Sequence, residues 1–295
     1  MNGREQGFLL LTSHLGDPAR RVLSVAQLRT LASRARSMEK PQKAQHVTAE
    51  TLVAIGYDRE NAGRIVGLLS DTQQLQWYLS KGAKKDCYPL SRANEKYPIR
   101  LRQRLGLDCP GCLWTKGDIS ALTKPAVALV GSRDMAPMNL AFAEEAGRQA
   151  ARQGYVLVSG NARGADRAAQ EACLACGGQV ISVVADSLEG HPLRRNMLYL
   201  SEDSFDAAFS AQRALSRNRV IHCLADMVLV AQCTYGKGGT WDGTCRNLRN
   251  GWSPVFCYDD GGEGSRMLIG TGAMPIGLQA LFELDRLPPD ILKLI

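Results

Sequence analysis

Several scarcities narrow the class of this 295-residue chain. No apolar run approaches the ~18 residues of a membrane span. The short run Phe8–Leu11 has neither the length nor the flanks of a secretory leader, so a cytoplasmic location is expected. Histidine is rare: His14, His46, His191 and His222 are dispersed and make no recognisable triad or metal set. Aromatic residues are only 6% of the chain, and there is no internal repeat or low-complexity tract. The Walker A pattern of six-residue glycine spacing closed by Lys-Ser/Thr is missing. Cysteine is not scarce, but its nine copies are odd in number and scattered through apolar or helical stretches, which fits reduced thiols rather than a disulfide framework. The pairs Cys109–Cys112 and Cys173–Cys176 have CxxC spacing. They are far apart in the chain and the second lies in a helical stretch, which argues against a four-thiolate zinc site. No cofactor or metal is expected.

Charge is plentiful and uneven. Residues 1–120 carry 19 Lys/Arg against 11 Asp/Glu, whereas residues 121–295 carry 17 against 18. The net +7 therefore resides in the first part and suggests a polyanionic partner, with ordinary solubilising charge as the competing explanation. In the second part position matters more than number: Arg133, Arg163, Arg167, Arg194, Arg195, Arg217 and Arg219 fall at predicted loops or helix starts.

Residues 1–80 read as helical. Leu23, Ala26, Leu28 and Leu31 mark one apolar face, Thr48 is a candidate cap, and the Ile55-Gly56-Tyr57-Asp58 turn precedes a helix over Arg59–Leu69. Ser37–His46, polar and containing Pro41, reads as a loop. Residues 81–120 form a turn-rich connector. From Ala126 strands and helices alternate. Strands are predicted at Ala126–Val130, Tyr155–Ser159, Val180–Ala185, Met227–Ala231 and Pro254–Cys257. Helices are predicted at Asn139–Gln153, Ala165–Cys176, Leu215–Leu224 and about Asp242–Asn250. That alternation predicts an α/β fold with a doubly wound, mainly parallel sheet over residues 121–295, preceded by a small helical domain. Ligands of such sheets bind at the carboxyl ends of the strands.

Two strand ends carry the clearest chemistry. Val127–Val130 stops in Gly131-Ser132-Arg133, and Val156–Val158 stops in Ser159-Gly160-Asn161-Ala162-Arg163-Gly164-Ala165-Asp166. Small residues let backbone N–H groups approach an anion, and arginine adds a planar fork. Asp166 reads as a structural cap that orients Arg163 rather than as a catalytic acid. Arg217-Asn218-Arg219, after a candidate N-cap at Ser216, places arginines against the helix dipole, as a ligand-serving group would. Lys237-Gly238-Gly239-Thr240 offers another anion-friendly loop, with Trp241 able either to stack on a base or to pack.

Together these motifs resemble the DNA-processing protein A (DprA/Smf) family: a strand ending Gly-Ser-Arg, then Ser-Gly-x-Ala-Arg-Gly-x-Asp, then Gly177-Gly178, then Arg217-Asn218-Arg219 before another strand. Tyr97-Pro98-x-x-Leu101 and Leu113-x-x-Lys116-Gly117-Asp118 are similar to the family's lead-in, and the likeness covers residues 50–280. It departs from the usual pattern at 135–138, 231–233 and 258–260, and the expectation is a divergent member without the C-terminal winged helix. The resemblance implies an extended Rossmann-like fold, single-stranded DNA binding, a homodimer and assistance to a RecA-type recombinase. It gathers Ser132, Arg133, Ser159, Gly160, Arg163, Gly164, Arg217 and Asn218 around a phosphate pocket. Gly131, Arg219, Lys237, Gly238, Gly239 and Thr240 join that list on chemical grounds. The alternative is a nucleotide-derivative sensor or a phosphoribohydrolase-like enzyme, because residues 238–244 partly match the glycine motif of such enzymes. The glutamates that follow in that motif are missing, and Asp242, Asp259 and Asp260 are the acids near it.

Overall fold

A computed structural model describes residues 1–36 and 47–287. The expected loop at Ser37–His46 lies outside the described residues. The chain divides into two compact units, Met1–Tyr97 with Pro110–Leu113, and Pro98–Cys109 with Trp114 onward. The reach of the second unit back to Pro98 differs from the linear division into helical part, connector and α/β part. The connector residues contain folded elements of their own.

The smaller unit holds α1 (Gly3–Thr12), α2 (Val25–Ala35), α3 (Ala49–Ala54), α4 (Arg59–Ser70), α5 (Thr72–Ala83) and β1 (Tyr88–Ser91). Its first four helices are capped by side chains: Asn2, Ser24, Thr48 and Asp58 accept from the N–H of Glu5, Gln27, Thr51 and Asn61. Each such cap satisfies an orphan donor and contributes about 1 kcal/mol. Leu11, Leu23, Leu52, Ala62, Ile65 and Leu68 bury the apolar faces. Gly56, at φ +92°, makes the turn between α3 and α4 in a conformation other residues avoid.

The larger unit is the doubly wound sheet. It adds α6 (Ile99–Leu105), β2 (Cys112–Lys116, from Trp114), β3 (Ala126–Val130), α7 (Pro137–Arg152), β4 (Val156–Ser159), α8 (Ala165–Ala175), β5 (Val180–Val183) and β6 (Met197–Ser201). It continues with α9 (Ala211–Ser216), α10 (Asn218–Leu224), β7 (Met227–Val230), α11 (Gly238–Asn250), β8 (Val255–Tyr258), α12 (Glu263–Gly270) and β9 (Met274–Ile276). Strand order is β2-β6-β5-β4-β3-β7-β8-β9, all parallel except the β2–β6 pair. The central strands are buried along their whole length, which is why they read as unbroken aliphatic runs. Strands β2, β6 and β9 had no such signature. Strand β9 closes the sheet at one end, whereas β6 is interior, buried along its whole length and paired with β5 and with β2, for example Ser201 with Trp114.

Two local expectations change. Residues 215–224 are not one helix: α9 ends at Ser216 and α10 starts at Asn218, with Ser210, not Ser216, capping α9. The helix expected about Asp242–Asn250 begins earlier, at Gly238. Among the described residues no helix is long and apolar enough to cross a membrane.

Behind α10 and α11 lies a buried polar knot. The His222 ring nitrogen Nδ1 and the Asn247 amide meet at 3.1 Å, Asn247 accepts from the Ser253 N–H at 2.9 Å, and the Ser253 hydroxyl donates to the His222 carbonyl at 3.0 Å. Burial pushes the His222 imidazolium down to about 4. The unfolded chain takes up this proton near pH 6.5, whereas the folded chain does so only near pH 4. The stability supplied by the neutral ring is thus fully present above pH 6.5 and is lost as pH falls toward 4. We expect urea unfolding to show a decline of about 3 kcal/mol from this group between those limits. His222→Gln should flatten that part of the pH profile.

Candidate nucleic-acid interface

Three adjacent parallel strands, β4, β3 and β7, end on the same edge of the sheet. Each passes through a short loop into a helix, respectively α8, α7 and α11. None of these three helices has a side-chain cap; their N-cap residues are Gly164, Ala136 and Lys237. The contrast with the four side-chain-capped helices of the smaller unit is chemical: here no side chain covers the positive ends of the helix dipoles, although Pro137 opens α7 without an N–H and the Ala165 N–H of α8 already meets the Ser132 carbonyl at 3.2 Å. Arg133, Arg163 and Lys237 stand exposed beside them.

The β4–α8 loop is shaped from below by Asp166. Its carboxylate accepts the N–H of Gly160 and of Ala162, both at 3.1 Å. It therefore holds the loop backbone and not Arg163, which instead pairs with Asp134 at 3.1 Å through two exposed side chains. Asn161 and Gly164 take positive φ, 61° and 86°, to complete the turn. A Cβ on Gly164 would run into the carbonyls of Ser132 and Arg133, so the β3 and β4 loops touch only because that residue is glycine.

Arg217 lies beneath. It is 8% exposed, its guanidinium donates to the Val183 carbonyl, and a Cβ on Gly160 would collide with it. Its Nε has no hydrogen-bond partner. Burial lowers its pKa, against the raising effect of Asp166 and Asp186. Burial likewise raises the pKa of Asp166, opposed by Arg217, the two loop N–H groups and Arg133. The pair is a desolvated charge arrangement in which each group offsets part of the other's burial cost.

Several residues expected to meet phosphate instead tie the loops together. The Ser132 hydroxyl donates to the Gln232 carbonyl at 3.2 Å. Thr240 donates to the Gly131 carbonyl at 2.9 Å, and Asn218 to the Gly239 carbonyl at 3.0 Å. Ser159 is fully buried, its hydroxyl accepting from Gln170 at 2.6 Å, and does not reach the rim surface. Arg219 is engaged by Glu202 at 2.7 Å and by the Asp108 carbonyl. The structure thus brings Gly131, Ser132, Arg133, Gly160, Arg163, Gly164 and Lys237–Thr240 to one edge, places Arg217 and Asn218 as supports, and commits Ser159 and Arg219 to packing.

Two supporting residues carried no sequence signal. Gln232 gives its side-chain oxygen to the Ala136 N–H at 2.9 Å, and Asn139 donates to the Ala231 carbonyl at 2.8 Å and to Asp260 at 2.7 Å. Burial raises the Asp260 pKa, but Ser265, Asn139 and the Gly262 N–H together hold it below the ordinary carboxylate value. That acid is a fixture of the β8–α12 turn. Among the described residues no cluster of three or more His, Cys, Asp or Glu is placed to hold a metal, and the nine cysteines are free. Burial pushes the Cys173 thiol up to about 12, away from reactivity.

The division between support and surface is testable by stability. Asp166→Ala strips two N–H groups of their acceptor and removes a nearby charge that offsets the burial of Arg217, and should cost about 3 kcal/mol in urea unfolding. Arg163→Ala removes only an exposed ion pair and should change stability by less than about 1 kcal/mol.

The family model described as DNA recombination-mediator protein A matches residues 89–282. Protein Smf of Escherichia coli (strain K12) is 31% identical over 201 residues, covering 61% of this chain and 52% of that protein. The chain thus spans about half the length of that relative. DNA processing protein DprA of Streptococcus pneumoniae is 29% identical over 217 residues, 68% of this chain and 72% of that one. The crystal structure of the pneumococcal protein superposes with a TM-score of 0.70 at 24% identity, covering 97% of this chain and 98% of that chain, a likeness of fold. The structure of DNA processing protein A from Helicobacter pylori, reported for its single-stranded DNA binding mode, gives a TM-score of 0.57 at 26% identity over 67% of this chain and 94% of that one. On the extent of the family match, which takes in every element of the rim, the chain belongs to the DNA recombination-mediator protein A family.

Proposed function

We propose that this chain binds single-stranded DNA along the carboxyl edge of its sheet and acts in DNA processing during recombination or natural transformation. One observation carries the reading: three neighbouring strands deliver three helix N-termini without side-chain caps, α8, α7 and α11, each beside an exposed cation, Arg163, Arg133 or Lys237. Positive helix-dipole ends and cations in a row attract a run of phosphates and carry no base code. Tyr235 and Trp241, edge to face at 5.0 Å around the start of α11, supply aromatic surface against which a base can stack. The single-stranded DNA binding reported for the Helicobacter pylori relative supports the same polymer. Assistance to a RecA-type recombinase by a homodimer extends this reading.

Fluorescence anisotropy with single-stranded, double-stranded and mononucleotide probes at two salt concentrations tests it. Single strands should bind far more tightly than a mononucleotide and lose affinity steeply with salt. Arg163→Ala should weaken single-strand binding by about tenfold and lower the salt slope by about 0.7. If single strands bind no better than a mononucleotide, the site belongs to a nucleotide-derivative sensor or a phosphoribohydrolase-like enzyme instead.

A further inference from the structure

The smaller unit contains a cavity of about 400 Å³ that the DNA-binding reading does not use. It is formed between α1, α5 and β1, within the size range of small-molecule sites. Its lining includes Leu79, Ala83 and Tyr88 as apolar and aromatic surface, Glu5, Ser91 and Asn94 as polar surface, and the exposed Met1.

The polar lining is incompletely satisfied. Glu5 is 5% exposed. Its carboxylate accepts from the Asn2 N–H at 2.8 Å and from the Asn94 side-chain amide. Those two bonds use half of the roughly four acceptor positions of an ionised carboxylate. No ion pair with Glu5 forms among the described residues, although buried charges are ordinarily paired. Ser91, 2% exposed and lining the same cavity, has a hydroxyl with no hydrogen-bond partner. A buried negative charge and an unmet hydroxyl therefore face one ligand-sized space with apolar and aromatic sides.

We propose that this cavity is a binding site for a small organic cation, an ammonium group on an aryl or alkyl body. The ammonium would donate to Glu5 and meet the Ser91 hydroxyl, and the body would lie along Leu79, Ala83 and Tyr88. An anion is excluded by Glu5, and a purely apolar molecule would leave both polar groups unmet. None of its lining residues belongs to the sheet edge, and the proposal stands whether or not that edge binds DNA.

The test is calorimetric titration of the full chain with 2-phenylethylamine, against 2-phenylethanol and phenylacetate as neutral and anionic counterparts of similar shape. The amine should bind saturably at one site with a dissociation constant below about 1 mM, and the alcohol and acid at least about tenfold more weakly. Glu5→Gln should weaken the amine by about tenfold or more, and Ser91→Ala by a few-fold. Because Glu5→Gln also disturbs the capping box of α1, Ala83→Trp provides the second variant: it adds bulk at an exposed position of the cavity wall, leaves Glu5 untouched and should abolish amine binding. The proposal is overturned if the wild type does not bind the amine, if the alcohol binds as tightly, or if either a folded Glu5→Gln or Ala83→Trp binds the amine like the wild type.

Discussion

The carboxyl edge of the sheet depends on a single buried carboxylate. Asp166 sits in the first turn of α8 and reaches back to two N–H groups of the loop that precedes it. Without that grip the Gly160–Gly164 loop has no internal reason to hold its left-handed turns, and the guanidinium of Arg217 loses a charge that offsets its burial. Desolvation makes the arrangement costly, and the same desolvation makes it exact: neither charge can move far without facing an apolar interior alone.

From that support the rim is assembled outward by short polar ties. Ser132 and Gln232 join the β3 and β7 loops, Thr240 joins α11 to the end of β3, and Asn218 joins α10 to α11. Glycines are used where two backbones must nearly touch, as at Gly164 against the Ser132 and Arg133 carbonyls. The hydroxyls and amides are thereby consumed in construction, and what faces solvent is the positive ends of three helix dipoles and the exposed cations Arg133, Arg163 and Lys237. Such a surface suits a repeating phosphate backbone, which needs rows of donors and not a code.

Much of this was legible in the chain. The aliphatic runs at 126–130, 156–159 and 227–230 announce central parallel strands because burial on both faces forbids polar interruption. The glycines and serine that follow mark where those strands end and turn toward the next helix, and the structure places Arg133 and Arg163 exposed at those turns. Strands β2, β6 and β9 escaped notice: β9 is a three-residue strand at the end of the sheet, whereas β6 is an interior strand buried along its whole length. So did the break at Arg217, where a continuous helical pattern is split by a residue that turns its side chain into the interior.

What the sequence determined by itself is therefore the period and chemistry of the strongly patterned segments: which stretches are central strands and their flanking helices, that the thiols are scattered, and that small residues and arginines gather at strand ends. What only the tertiary structure decided is the assignment of roles among chemically equivalent residues. Arg163 is exposed, Arg217 buried and Arg219 tied to Glu202; Ser132 bridges loops while Ser159 is sealed under Gln170. Type and spacing cannot separate these fates, because burial and partner depend on which distant segment the sheet order brings alongside.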